Sequence, residues 1–151
     1  MACRNIEKAK EAKNDILKEI LEEIEQSNKI GVLIVKKLDL SSLKSVRKCA
    51  KKILEEEPRI DLLINNGGVF ACPQSTTEDG YETQFATNHL GHFLFTLLLL
   101  PRIIASAPAR IVNLSSSGHD VCKFQKLKFP INTRIFLNFS IFQGEIQILK
   151  I

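Results

Sequence analysis

Arg59-Ile60-Asp61-Leu62-Leu63-Ile64-Asn65-Asn66-Gly67-Gly68-Val69-Phe70 is the stretch around which the 151-residue chain is organised. Ile60 and Leu62 to Ile64 run into an Asn pair and a Gly pair, then into Val69 and Phe70. A short continuous apolar run ending in turn residues predicts a strand buried on both faces. Glycine accepts positive φ and lets another backbone or a ligand come close. In an open parallel sheet the crevice beyond the strand C-termini is where ligands sit. The stretch therefore reads as a strand that delivers a polar floor to a binding site. An ordinary tight turn after a buried strand accounts for the same residues.

Upstream, Ile30 to Leu38 is β-branched and apolar, and predicts a second buried strand that opens onto Asp39-Leu40-Ser41-Ser42. Ser41 or Ser42 then caps a helix to about Glu57, with Leu43, Val46, Cys49, Ala50 and Ile53 on its inner face, and Pro58 closes it. Before that, Ile6, Ala9, Ala12, Ile16, Leu17, Ile20, Leu21 and Ile24 recur at three- and four-residue spacing. They predict a helix from about Asn5 to Gln26, with Asn5 as a partial cap. A coiled-coil partner helix is another use of that stripe.

Downstream, Thr76 to Asp79 opens a helical region that runs past Asn88-His89-Leu90-Gly91-His92 to Leu100, where Pro101 closes it. Ile111 to Leu114 is a further buried strand, opening onto Ser115-Ser116-Ser117-Gly118-His119. Alternating helices and strands imply parallel strands joined by right-handed crossovers, a doubly wound α/β sheet with helices on both faces. From Phe124 onward the character changes. Residues 124–151 hold five of the nine phenylalanines, with loose two-residue alternation that suits one or two strands or an irregular, sticky tail.

Bulk composition narrows the function classes. A hydrophobic fraction of 44% and a charged fraction of 25% are those of one ordinary globular domain. The net charge of +4 comes from lysines interleaved with glutamates on helix faces, so no basic stripe with aromatics points to nucleic acid. Cys3, Cys49, Cys72 and Cys122 are scattered, with no Cys-x-x-Cys pair and no His at ligand spacing. Neither a metal site nor a disulfide framework is expected, and reduced thiols suit an intracellular, cytoplasmic setting. The N-terminus runs straight into charged residues, unlike a signal peptide. Phe93 to Leu100 is too short to span a bilayer and reads as a buried helix.

Five segments taken together resemble the short-chain dehydrogenase/reductase family, and within it the retinol dehydrogenase branch. They are Ala2 to Arg4, Lys37 to Arg47, Asp61 to Val69, Asn88 to Thr96 and Ala109 to His119, all in the family's own order. The resemblance implies a partial Rossmann-type domain over residues 1–123, with a divergent tail at 124–151. It implies NADP as cofactor and a lipophilic alcohol or carbonyl, such as a retinoid, as substrate. For full-length relatives the resemblance implies association with endoplasmic reticulum membranes.

Position by position, the resemblance implies that Arg4 pairs with the 2′-phosphate of NADP, which its planar fork suits. Asp39 would lie beside the adenine amine with Leu40 packed on the ring, and Asn66-Gly67-Gly68 would line the cofactor near its ribose. The family usually has Ala where Gly67 stands. Asn88 would hold a water in a proton relay, and Ser116 would hydrogen-bond the substrate oxygen and steady developing charge.

Two pieces of the family pattern have no counterpart in these residues. One is the glycine-rich turn Thr-Gly-x-x-x-Gly-x-Gly after the first strand, which cradles pyrophosphate at a helix N-terminus. Met1 falls where that family's second strand ends. The other is the general acid/base, a Tyr four residues before a Lys and after the catalytic Ser. Tyr81 is the one tyrosine, it precedes Ser116, and Phe85 stands four positions on. The expectation is a chain with negligible turnover by itself. The alternative is a non-catalytic interaction fragment that pairs with a full-length relative, or with itself, through an exposed sheet edge.

Overall fold

The computed structural model describes residues 1–23, 31–115 and 147–150. The chain starts with β1 (Ala2–Cys3) and enters α1 (Ile6–Glu23). The Asn5 side chain accepts from the Lys8 amide at 3.1 Å, so it is the cap of α1. Of the apolar stripe on α1, Ala9 is buried, Ile6, Leu17 and Ile20 are half-buried, and Leu21 is exposed. Ile24 lies outside the described residues.

β2 is only Lys36–Lys37, a correction to the strand expected from Ile30 to Leu38. Residues 31–35 lie outside any strand. The reason is the partner's length: β2 pairs in parallel with β1, and β1 offers two residues. A strand is defined by its ladder, and β-branched composition cannot supply the neighbour.

α2 (Leu43–Glu56) follows as expected, with Ser42 accepting from the Ser45 amide as its cap. Val46, Cys49 and Ala50 are its buried face. Its far end is satisfied by Arg102, whose guanidinium donates to the Glu57 carbonyl and, at 3.1 Å, to the Leu54 carbonyl. β3 (Leu62–Asn65) pairs in parallel with β4 (Arg110–Asn113). β4 pairs on its other edge with β5 (Gln147–Lys150), which is antiparallel. The two sheets, β1–β2 and β3–β4–β5, are separate.

β3 is not buried on both faces. Leu63 and Asn65 are buried, while Leu62 and Ile64 are 52% and 54% exposed. Only the face toward α2 and the following helix is covered by described residues.

Helix begins later than expected. Thr76 bridges Glu82, and the Glu82 carboxylate caps Thr83 onward by accepting from the Gln84 and Phe85 amides. Those two amide bonds lower its pKa. α3 (Thr83–Phe85) continues through a π-helical turn, Ala86–Leu90, into α4 (Gly91–Ala105). Pro101 sits inside α4 and does not end it. A proline removes one ladder donor, and the turn beyond it is held by Arg102 on α2 and by Ser106, whose hydroxyl donates to the Arg102 carbonyl at 2.7 Å. Thr83–Ala105 has the length and apolar composition that a membrane span needs, a property that core helices share. Here it turns Phe95, Leu99 and Ile103 into the core beside Leu38, Val46, Leu63 and Ile111.

Candidate functional site

Beyond the C-terminal ends of β3 and β4 lies a cavity of about 420 Å³. Asn66, Gly67 and Gly68 form one wall, Asn88 and His92 a second, and Leu114 with Ser115 a third. Ser116, the expected substrate-contacting serine, lies outside the described residues, one position beyond Ser115.

Three side chains on one face of the long helix hold the strand and its exit. Asn65 donates from Nδ2 to Thr96 Oγ1 at 2.9 Å and to Asn113 Oδ1 at 2.8 Å. His92 Nε2 lies 2.6 Å from the Gly67 carbonyl oxygen. A carbonyl only accepts, so Nε2 carries the proton. Asn88 clamps Val69 from both sides: its Oδ1 accepts the Val69 amide and its Nδ2 donates to the Val69 carbonyl, each at 2.8 Å. Helix residues 96, 92 and 88 thus meet strand residues 65, 67 and 69 in turn, a polar seam in which the helix steps by four and the extended chain by two.

Asn88 is therefore not a free side chain waiting for a ligand. Both ends of its amide are engaged by backbone. The π-helical turn containing it carries one residue more per turn than an α-helix, which sets its phase independently of the core face below. The seam also explains a glycine. Neither Gly67 nor Gly68 takes the positive φ expected of them, which among the described residues belongs to Gly80 (80°) and Ala71 (50°). A Cβ on Gly68 would instead stand 3.1 Å from Asn88 Oδ1. Close approach, not backbone conformation, is what Gly68 supplies. At Gly67 a Cβ would lie 3.1 Å from Leu40 Cδ1, the end of a flexible side chain.

Burial lowers the pKa of His92, with the Gly67 carbonyl bond acting in the opposite direction. His89 is lowered by burial first and by the charge of His92 second. Both imidazoles are thereby biased to the neutral form, which suits His92 as donor to Gly67. His92, Thr96, Asn65 and Val69 were not among the residues singled out from sequence. The signal was present as Asn88, His92 and Thr96 at four-residue spacing.

Arg4, Asp39 and Leu40 do not line this cavity. Arg4 is exposed just past β1, and its carbonyl accepts from Lys37 Nζ at 2.6 Å, so two cations share one corner. Asp39 Oδ1 accepts from the Ser41 amide at 3.0 Å and the Ser41 hydroxyl at 2.6 Å, an Asx-type turn ahead of α2. Leu40 wedges between Gly67 and Gly91, joining the two groups of expected site residues.

Among the described residues, two places have the chemistry that could meet the ends of a dinucleotide, and neither offers a seat for a pyrophosphate between them. The Arg4–Lys37 corner suits a phosphate monoester, and the strand-end cavity suits a ribose and its ring. A pyrophosphate needs free amides at a helix start. The start of α1 is taken by Asn5, and that of α2 by Ser42 and by Asp79, which accepts the Leu43 amide at 2.8 Å.

Residues 6–125 match the short chain dehydrogenase family. Retinol dehydrogenase 13 of Homo sapiens is 54% identical over 119 residues, covering 79% of this chain and 34% of that protein. The chain thus spans about a third of the length of this curated relative. Among solved structures, an uncharacterised protein from Mycobacterium paratuberculosis is 39% identical, with a TM-score of 0.60 over 79% of this chain and 37% of that one. The Pseudomonas aeruginosa RhlG/NADP active-site complex is 26% identical, with a TM-score of 0.56 over 83% of this chain and 46% of that one.

Proposed function

Because the chain belongs to the short-chain dehydrogenase family, we propose that its described residues form the nucleotide-facing part of an NADP(H)-linked oxidoreductase site. The substrate class is a lipophilic alcohol or carbonyl, of which a retinoid is the instance named for the relative above. The observation that carries the reading is the cavity where Asn66, Gly67 and Gly68 meet Asn88 and Ser115 beyond parallel strand ends.

In this reading residues 1–123 are one partial nucleotide-binding unit and residues 124–151 stand apart from it. Arg4, with Lys37 beside it, holds the 2′-phosphate, and Asp39 and Leu40 take the adenine. Asp39 keeps Oδ2 for that contact, since Ser41 occupies Oδ1. Asn66, Gly67 and Gly68 border the ribose. Asn88 works through Val69: it fixes the strand exit and so the width of the cavity. Ser116, next after Ser115, bonds the substrate oxygen. NADP(H), when bound, supplies the hydride acceptor or donor. The sequence holds no Tyr-x-x-x-Lys, so the 151-residue chain by itself lacks a positioned proton donor, which typically contributes roughly 10²–10⁴-fold.

Titration of the 151-residue chain with NADPH and NADH, read by nucleotide fluorescence, tests the cofactor assignment. Weak binding that favours NADPH, with the preference lost in Arg4→Glu, is expected. Equal response to both nucleotides, unchanged by that substitution, would overturn it. Retinol oxidation by the same chain is expected at background. Clear turnover that disappears in Ser116→Ala would sink the statement about the proton donor.

A further inference from the structure

The backbone ladder of β3 ends at Asn65, whose carbonyl accepts from the Leu114 amide at 3.1 Å. Two glycines follow soon after, and both are exposed. Glycine has more backbone freedom to lose than any other residue, so this segment is costly to hold in one shape. Between Asn66 and Val69 the main chain has no backbone partner among the described residues. Two side chains of the long helix hold it instead. His92 Nε2 donates to the Gly67 carbonyl, and the Asn88 carboxamide engages the Val69 amide and carbonyl together. A carboxamide offers a donor and an acceptor as a peptide group does, so Asn88 stands in for a residue of a neighbouring strand.

These contacts dictate where the residue between them points. In a trans peptide the C=O of one residue and the N–H of the next lie in one plane and point in opposite directions. The peptides of this segment are trans. With the Gly67 carbonyl drawn to His92, the Gly68 N–H is turned away from the helix. With the Val69 amide drawn to Asn88, the Gly68 C=O is turned away as well. Gly68, which lines the strand-end cavity, thus presents a donor and an acceptor side by side. His92 sets the first and Asn88 the second. Gly67 is exposed, so water can replace His92 as donor to its carbonyl at little cost. The bond from His92 therefore contributes direction more than stability.

We propose that His92 is a positioning residue of the nucleotide site: by donating from Nε2 to the Gly67 carbonyl, it aims the Gly68 N–H at the nucleotide. The identity of the ligand rests on the oxidoreductase reading above, and the aim itself rests on the two side-chain contacts. A ribose hydroxyl both donates and accepts, so it matches an N–H and a C=O presented together. A backbone donor already held in direction costs less to engage than one that must be ordered on binding. The role requires a side-chain donor at position 92 and no charge. Glutamine meets that requirement, and leucine fills the space without meeting it.

The test uses the isotopically labelled 151-residue chain, above the pH range in which histidine titrates. In the unmodified chain the imidazole nitrogen shifts should report the Nε2–H tautomer, and an Nδ1–H tautomer would overturn the proposal with no variant needed. His92→Leu should move the Gly67 carbonyl resonance and lower the order parameter of the Gly68 amide from about 0.85 to below about 0.6. His92→Gln should restore both. Melting temperatures of the three proteins should agree within about 2 °C. NADPH affinity should fall about tenfold in His92→Leu and recover in His92→Gln. Gly67 and Gly68 signals unchanged by His92→Leu, or not recovered in a folded His92→Gln, would contradict the proposal. So would an NADPH affinity indifferent to a disordered Gly68, or a melting temperature that falls equally in both variants, which marks a structural role. No NADPH response in the unmodified chain would overturn the oxidoreductase reading alone, and the Gly67 and Gly68 signals decide the aim of the peptide either way.

Discussion

The two sheets begin from similar sequence and end in different structure. Residues 30–38 and 60–65 are both apolar runs that open onto polar turns, yet the first yields two strand residues and the second four. The difference lies in the neighbour. β4 offers four residues in register with β3, whereas β1 offers two to β2. What the comparison teaches is that an apolar run gives a segment the capacity to be a strand, and a partner of matching length decides how much of that capacity is used. The same contrast appears between helices. α2 buries Val46, Cys49 and Ala50, while the stripe of α1 is fully buried only at Ala9.

Leu40 links the two halves, so breaking its packing should have the largest effect. A Cβ on Gly91 would overlap the Leu40 carbonyl oxygen and lie 3.0 Å from Leu40 Cβ. Backbone cannot yield as a side-chain tip can. Gly91→Ala is expected to cost about 3 kcal/mol, the upper end for overpacking, in denaturant unfolding. Gly67→Ala, which meets only a side-chain end, should cost far less, and a similar cost for the two would remove Leu40 as the link.

Asn65 is next. Its amide is buried and serves Thr96 and Asn113 together. Asn65→Ala leaves both without that donor and should cost about 2 kcal/mol, confined to the β3–β4 half in hydrogen exchange. Ser42→Ala, on the other side of the comparison, removes the cap of α2 and should cost about 1 kcal/mol, less than Asn65→Ala in the same unfolding assay.

The smallest effect is one of pH. The folded-state pKa of His92 is lowered, so the unfolded chain binds its proton more readily. Its contribution to stability is complete above the ordinary histidine value near 6.5 and is lost as pH falls through the folded-state value. His89 acts in the same direction. His92→Gln, which keeps a donor for the Gly67 carbonyl, should flatten part of the fall in melting temperature below pH 6.5, and an unchanged slope would exclude His92 as its source. The lowered pKa values of Glu56 and Glu82 act at lower pH, through their Lys36 and backbone-amide partners respectively.

What was legible in the sequence was local. The start of α1 at Asn5, the cap at Ser42 and the β3 segment before Asn65-Asn66 each follow from residues within one turn of the feature. Family order also pointed to Asn66, Gly67, Gly68 and Asn88, which the fold brings to one cavity. The unread parts depend on distant chain. Extent of β2 is set 34 positions away by β1, and continuation of α4 past Pro101 depends on the Arg102 contacts with the end of α2. The role of Gly68 could not be read from a turn rule, because its reason is the Asn88 side chain 20 positions on.

The seam of Thr96, His92 and Asn88 works like a vernier. Four helix residues advance about 6.0 Å and two extended residues about 6.6 Å, so each step loses roughly 0.6 Å of alignment. Two such steps at α-helical rise would accumulate about 1.2 Å, much of what a hydrogen bond tolerates. A fourth contact of the same kind would miss. The π-helical turn begins between His92 and Asn88, and its extra residue sets the phase of Asn88 and of everything before it. The length of the site floor is thus bounded by the arithmetic of two repeats, and deletion of His89 or Leu90 would shift Asn88 off its mark while leaving Phe95, Leu99 and Ile103 in place.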